Sequence, residues 1–184
     1  MFYLSLFFSC VGDKEILDTS YEKQEEFKIF PPSDCSFNGG DIICDFNLAN
    51  QYNENVRLWD NFGKVSVIDI STIWCPYCRE AAPLGKDLHD EYGEDFFWST
   101  ILLEDNNGDE PDIYDVQFWA GLYELPHSVL QGSRELIDGE GISGFPITGF
   151  PVFVILDRNF RIRHFQQGWN EYSVRSSVQE LFLE

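Results

Sequence analysis

The hexapeptide Trp74-Cys75-Pro76-Tyr77-Cys78-Arg79 constrains this chain most, because of what stands on either side of it. Before it, Lys64 to Ile70 (KVSVIDI) is a short β-branched run that reads as a buried strand. After it, Glu80 to Tyr92 carries Ala81, Leu84, Leu88 and Tyr92 at helical spacing. Phe96 to Leu103 (FFWSTILL) reads as a second strand. The unit is strand–helix–strand, with two cysteines at the mouth of its helix. A CxxC alone is ambiguous between a redox pair, half a zinc site and chance. At a helix N-terminus, unpaired amide N–H groups and the helix dipole favour a thiolate. Cys75 comes first and is the expected nucleophile, with its sulfur able to reach solvent. Cys78 lies about one turn further in, where it can attack a mixed disulfide on Cys75 and release the other partner. Pro76 suits the first helical turn, where its missing N–H has no partner to lose.

The rest of the composition supplies a core and excludes some partners. Of the 184 residues 43% are hydrophobic, and 17 Phe, 8 Tyr and 5 Trp require a packed interior. One domain of ordinary size accommodates them. Twelve Lys and Arg face 32 Asp and Glu, a formal net charge of −20. Such a chain cannot neutralise phosphates, so nucleic acid is not an expected partner. Electrostatic docking to anionic lipid is equally disfavoured. No internal repeat is visible.

Three further cysteines have other jobs. Cys35 and Cys44 flank Ser36-Phe37-Asn38-Gly39-Gly40-Asp41-Ile42-Ile43, whose Asn-Gly-Gly-Asp is strong turn chemistry. The two cysteines are expected to face each other across a hairpin as a structural disulfide, which implies an oxidising compartment. Unpaired buried thiols are the alternative; a four-cysteine zinc site fits the spacing poorly, and no metal site is assigned. Cys10 ends the apolar run Met1 to Ser9, too short to span a bilayer, which takes about 20 residues. Phe7-Phe8-Ser9-Cys10 loosely resembles a bacterial lipobox, although Phe8 is bulky there and no Lys or Arg precedes the run. Residues 1–10 are therefore read as a lipoprotein signal with Cys10 as the lipidation site. Residues 11–34 are read as an acidic tether, and 35–184 as the folded domain.

From about Asp45 onward the chain resembles the thioredoxin-fold thiol-disulfide oxidoreductases of the bacterial envelope, closest to the TlpA/ResA-like group. The resemblance rests on an ordered set of residues. Asp45 to Leu48, Val56 to Leu58 and Phe62 to Lys64 are similar to that family's N-terminal hairpin and entry to the first strand. Asp69 falls six residues before Cys75, where the resemblance implies a buried acid that assists proton transfer at the second cysteine. Pro83 matches a kinking proline in the active-site helix. Pro151, in Gly149-Phe150-Pro151-Val152, matches a cis-proline that packs beside the CxxC and helps bind extended substrate. The resemblance thus implies an α/β fold with a central mixed sheet flanked by helices and an N-terminal β-hairpin. It implies catalysis by Cys75, Cys78 and Asp69, and a substrate groove formed by Trp74, Pro76, Tyr77, Phe150 and Pro151. The implied partners are protein thiols or disulfides and an upstream redox protein, without a cofactor, in the cell envelope. Two departures stand out. Phe150 replaces a smaller or β-branched residue, and Pro76-Tyr77 is closer to glutaredoxins, which leaves the direction of electron flow open.

Other segments complete the reading. Asp105, Asn107 and Asp109 superficially match the start of a calcium loop, but Glu110 and Val116 occupy positions that need Gly and an acid. Glu104 to Glu110 is therefore read as a solvated acidic loop. Ile113 to Tyr123 reads as a helix, with Val116, Trp119, Ala120 and Tyr123 on one face. Pro151–Leu156 and Arg161–Phe165 read as a hairpin, and Val174, Val178, Leu181 and Phe182 as a closing helix. Ser128 to Gly149 is Gly-rich and unassigned. His89, His127 and His164 are read as structural or surface residues. Two rival functions remain. Thr72 and Cys75 resemble part of a peroxiredoxin-type peroxidase motif, but Ile68 occupies its proline position. A copper-binding module of the Sco type would want a wider cysteine spacing and an identified His ligand.

Overall fold

The computed structural model describes residues 28–184. The lipoprotein signal, Cys10 and most of the acidic tether lie outside the described residues. Residues 28–34 form no helix or strand; Ile29 O accepts a hydrogen bond from Arg57, whose guanidinium lies 4.6 Å from the Phe30 ring centre.

A short antiparallel hairpin comes first, β1 (Asn47–Ala49) with β2 (Asn55–Arg57). Then follow β3 (Val65–Ser71), α1 (Pro76–Ala81), α2 (Leu84–Tyr92), β4 (Phe96–Leu102), α3 (Ile113–Leu122) and β5 (Ser128–Gln131). The chain closes with β6 (Val152–Leu156), β7 (Ile162–Gln167) and α4 (Glu171–Leu183). The five-stranded sheet runs β5-β4-β3-β6-β7. β3 pairs parallel with β4 and β4 with β5, while β3–β6 and β6–β7 are antiparallel. β3 is central and buried at every position, which accounts for Val65, Val67, Ile68 and Ile70 facing both sides of the sheet. The mixed sheet and the N-terminal hairpin agree with the sequence expectation.

The sheet has two different faces. Val65, Val67, Phe96, Trp98, Phe153 and Ile155 pack under α2 and α4. On the same face Leu102 and Val129 meet Val116, Trp119 and Ala120 of α3. The opposite face carries Ile68, Ile70, Ile101 and Val154, and is covered by Phe37, Ile43, Leu58, Trp59 and Phe145 from irregular segments. Right-handed crossovers that step from β3 to β4 to β5 in one direction place their helices on one side, which is why α1, α2 and α3 lie together.

Cys35 and Cys44 are joined in a disulfide with Cα atoms 4.9 Å apart. The expected hairpin between them does not form. Asn38 to Asp41 makes the turn, with Asp41 N–H donating to Asn38 O and Gly40 at φ +92°. The flanking residues are bridged only at Ser36 and Ile43, in parallel sense. The loop instead bonds outward: Phe37 N–H reaches Gly141 O, Gly40 N–H reaches Ile162 O, and Ile43 N–H reaches Phe160 O. Those outside partners take the amide groups that a hairpin ladder would have used.

Candidate active site

The CxxC lies at the junction of β3 and α1. Cys75 is the N-cap of α1, and its Sγ accepts the Cys78 N–H at 3.3 Å. A sulfur thus occupies the position that an oxygen usually takes at a helix start. Pro76 is the first helical residue, as expected. α1 ends at Ala81 and α2 begins at Leu84, so the helix is interrupted at Pro83, which has no N–H to continue the ladder.

The two thiols are unpaired and differently placed. Cys78 is fully buried, and burial pushes its thiol well above the usual range, with the nearby Cys75 and Asp69 adding to the rise. Cys75 is more covered than its position predicts, at 4% exposure. The reason is packing: Phe150 closes on the cluster that contains both cysteines, and the Cys75 S–H points to Phe150 O at 3.8 Å. The Phe150-Pro151 peptide is cis. The entry to β6 thus stands beside the first cysteine, with Cys75 and Phe150 in contact across 75 residues of sequence.

Around this point lies a rim of partly exposed aromatic groups. Trp74 and Tyr77 are exposed, and Trp74 meets Phe150 edge to face at 6.1 Å between ring centres. A cleft next to it is lined by Ile73, Arg79, Phe118, Leu122 and Tyr123. Arg79 donates to Ile73 O and to Asn106, tying α1 to the loop after β4.

Beneath the cysteines, Asp69 is fully buried in the centre of β3. Its carboxylate accepts from Ser71 Oγ at 2.6 Å and from Thr100 Oγ1 at 3.1 Å. Desolvation outweighs both bonds and raises its pKa to about 7. A group poised there can take or give a proton near neutrality.

Two sets of supporting residues escaped the sequence reading. Glu104 was grouped with a solvated acidic loop, yet it is 3% exposed, accepts the Trp74 indole N–H at 2.6 Å and pairs with Arg134. Asp105 beside it is half-buried, and only Asn106 to Glu110 are exposed as expected. His127, read as one of three scattered histidines, is buried beside Thr100 at 3.3 Å. A signal existed in neither case, since both contacts depend on strand register.

Comparison with known proteins places this geometry among others. No family model matches the chain. An uncharacterized protein of Haemophilus influenzae is 27% identical over 120 residues, 65% of this chain and 75% of that one. A thiol:disulfide interchange protein of the thioredoxin family from Chlorobium tepidum matches with a TM-score of 0.62 at 17% identity, over 82% of this chain and 97% of its own. A DsbF homologue from Corynebacterium diphtheriae matches with a TM-score of 0.64 at 14% identity, over 88% and 97%. The exposed lipoprotein thioredoxin Etrx1 of Streptococcus pneumoniae matches with a TM-score of 0.61 at 19% identity, over 75% and 100%. With the strand order and the CxxC at the β3–α1 junction, these likenesses establish that the chain has the thioredoxin fold.

Proposed function

We propose that this protein is a thiol-disulfide oxidoreductase that acts on protein thiols or disulfides through Cys75 and Cys78. The observation that carries the reading is the grouping of four elements at one point. These are a helix-capping thiol, a second thiol one turn deeper, a cis X-Pro backbone beside the first sulfur, and a buried acid behind the pair. In reduction of a substrate, Cys75 thiolate attacks a substrate disulfide and one substrate sulfur leaves. Cys78 then loses its proton and attacks Cys75. The Cys75–substrate bond breaks as the Cys75–Cys78 bond forms, so the substrate is reduced and the pair is oxidised. Trp74, Pro76, Tyr77, Phe150 and Pro151 would flank the incoming chain. An upstream redox protein would reset the pair.

The Cys35–Cys44 disulfide and the names of the structural neighbours, a lipoprotein thioredoxin among them, support a place in the cell envelope. A lipid anchor at Cys10 fits that location and would show as membrane association lost in Cys10→Ser.

Equilibration in defined thiol buffers, with Cys75→Ser as control, tests the reading. A potential near about −270 mV, as in thioredoxin, marks a reductant, and one near about −120 mV, as in DsbA, an oxidant. A pair that does not exchange with any thiol buffer sinks the proposal.

A further inference from the structure

Thr100 joins the catalytic acid to a histidine. The parallel register places Asp69 of β3 directly beside Thr100 of β4, on the face under the helices. His127, one residue before β5, reaches the same hydroxyl. Thr100 Oγ1 lies 3.1 Å from Asp69 Oδ2, 3.3 Å from His127 Nε2 and 3.2 Å from Trp98 Nε1. All four residues are buried.

A hydroxyl has one proton to give and two lone pairs to offer. The indole N–H of Trp98 can only donate, so it occupies one lone pair at all times. The remaining lone pair and the single proton are divided between Asp69 and His127. When the Thr100 proton points to an ionised Asp69, His127 donates through Nε2–H. When it points to a bare His127 Nε2, Asp69 is protonated and donates to Thr100. The charge on Asp69 and the tautomer of His127 are therefore tied together.

We propose that Asp69, Thr100 and His127 form a proton relay that serves Cys78, with His127 Nδ1 as its outer end. This rests on the oxidoreductase reading. Protons balance in each direction. For Asp69 to be protonated, one proton enters at Nδ1 from solvent water, which must reach that buried nitrogen in a transient opening, the Nε2 proton passes to Thr100, and the Thr100 proton passes to Asp69. When Cys78 has handed its proton to Asp69, the same chain runs backwards and one proton leaves from Nδ1 to water.

Two further observations fit. His127 Nδ1 is buried with no hydrogen-bond partner among the described residues, whereas a purely structural histidine would use both nitrogens. The ring is also pressed against α2 at Gly85, where a Cβ would stand 2.6 Å from His127 Cε1 and 2.7 Å from Trp98 Nε1. Glycine there leaves room for both rings that bond to the Thr100 hydroxyl. Burial holds the imidazole neutral, with its pKa lowered to about 3, so the charged ring is only a passing state. The titratable groups that face the relay are Cys78 on α1 and His89 on α2; Ser71 completes the shell of Asp69.

The test is nitrogen-15 NMR of the full chain labelled in histidine, titrated from acid to alkaline pH, with the His127 signals assigned against His127→Gln. The expected result is a neutral ring that changes from Nδ1–H to Nε2–H as Asp69 ionises. One tautomer on both sides of that titration overturns the relay. Thr100→Val should freeze the tautomer and slow Cys78-driven resolution of a mixed disulfide about tenfold, and Thr100→Ser should restore both. A folded Thr100→Val that resolves at the wild-type rate also overturns it. Failure of the wild type to exchange disulfides would sink the functional reading separately, and the tautomer titration would still decide whether the chain conducts.

Discussion

The indole of Trp74 donates a 2.6 Å hydrogen bond to Glu104, a carboxylate that is itself almost wholly buried and paired with Arg134. An aromatic side chain next to Cys75 is thereby fixed from a different strand end. Glu104→Ala should free the indole and raise KM for a protein substrate about fivefold, the worth of one hydrogen bond, with little change in kcat. Glu104→Gln retains an acceptor and should fall between. Steady-state kinetics and Trp74 fluorescence read the two effects; an unchanged KM in the alanine variant would remove Trp74 from substrate binding.

Gly85 faces His127 and Trp98 with no space to spare. Gly85→Ala forces a methyl group against two rings locked in the core and should destabilise the fold by about 1–3 kcal/mol. Gly121 lies on α3 with nothing within 4 Å of its Cβ position, and Gly121→Ala should be tolerated there. Urea unfolding of the two variants side by side checks the contrast.

The Cys35–Cys44 bond closes a loop with a sequence separation of nine. Chain entropy assigns such a loop roughly 2–3 kcal/mol. The double variant Cys35→Ser/Cys44→Ser should unfold at correspondingly lower denaturant. Its exchange activity at 25 °C should persist, because Cys75 and Cys78 belong to a different cluster.

Asp69 and His127 shape the pH dependence of stability with opposite signs. Asp69 titrates at about 7 in the fold against 3.8 in its unperturbed state, so the native state holds the proton more tightly. Its contribution is present below pH 4 and is lost as pH rises through 7, in total roughly 4 kcal/mol. Asp69→Asn should therefore stabilise the protein at pH 8 and have little effect of this kind at pH 3.5. His127 titrates at about 3 rather than 6.5, so stability falls as pH drops below 6.5 and the unfolded ring charges. Denaturation curves of Asp69→Asn across pH 5–8 should show that second limb; a flat curve would contradict the lowered His127 pKa.

How far the sequence could be read depended on whether a feature was local. β3, β4, α3 and α4 were legible from β-branched runs and helical spacing, and their bounds agree within one or two residues where both ends were given. The place of the cysteine pair at a helix mouth was legible from the flanking strand and helix patterns, and the positions of Asp69 and Pro151 beside it through the family resemblance. β5 was not, because its four residues, Ser128 to Gln131, carry no period and lie in a Gly-rich stretch. Losing β5 also hid His127, whose approach to Thr100 follows from the β4–β5 register. Glu104 was hidden by its neighbours, since a carboxylate followed by six loop residues rich in acid looks like any other solvated charge. The near-complete cover on Cys75 depends on Phe150, which comes from a distant loop.

The sheet has a final consequence for a protein of this chemistry. Cys44 packs with the cluster on the face of Ile68 and Ile70, while Cys75 and Cys78 join the cluster on the face of Leu102 and Val129. One layer of five hydrogen-bonded strands thus lies between the two clusters, the disulfide on one face and the proposed exchanging pair on the other. A catalyst that rearranges sulfur bonds risks treating its own brace as a substrate. If the proposed exchange holds, setting the two pairs on opposite faces keeps the brace out of the cluster in which the exchange would take place.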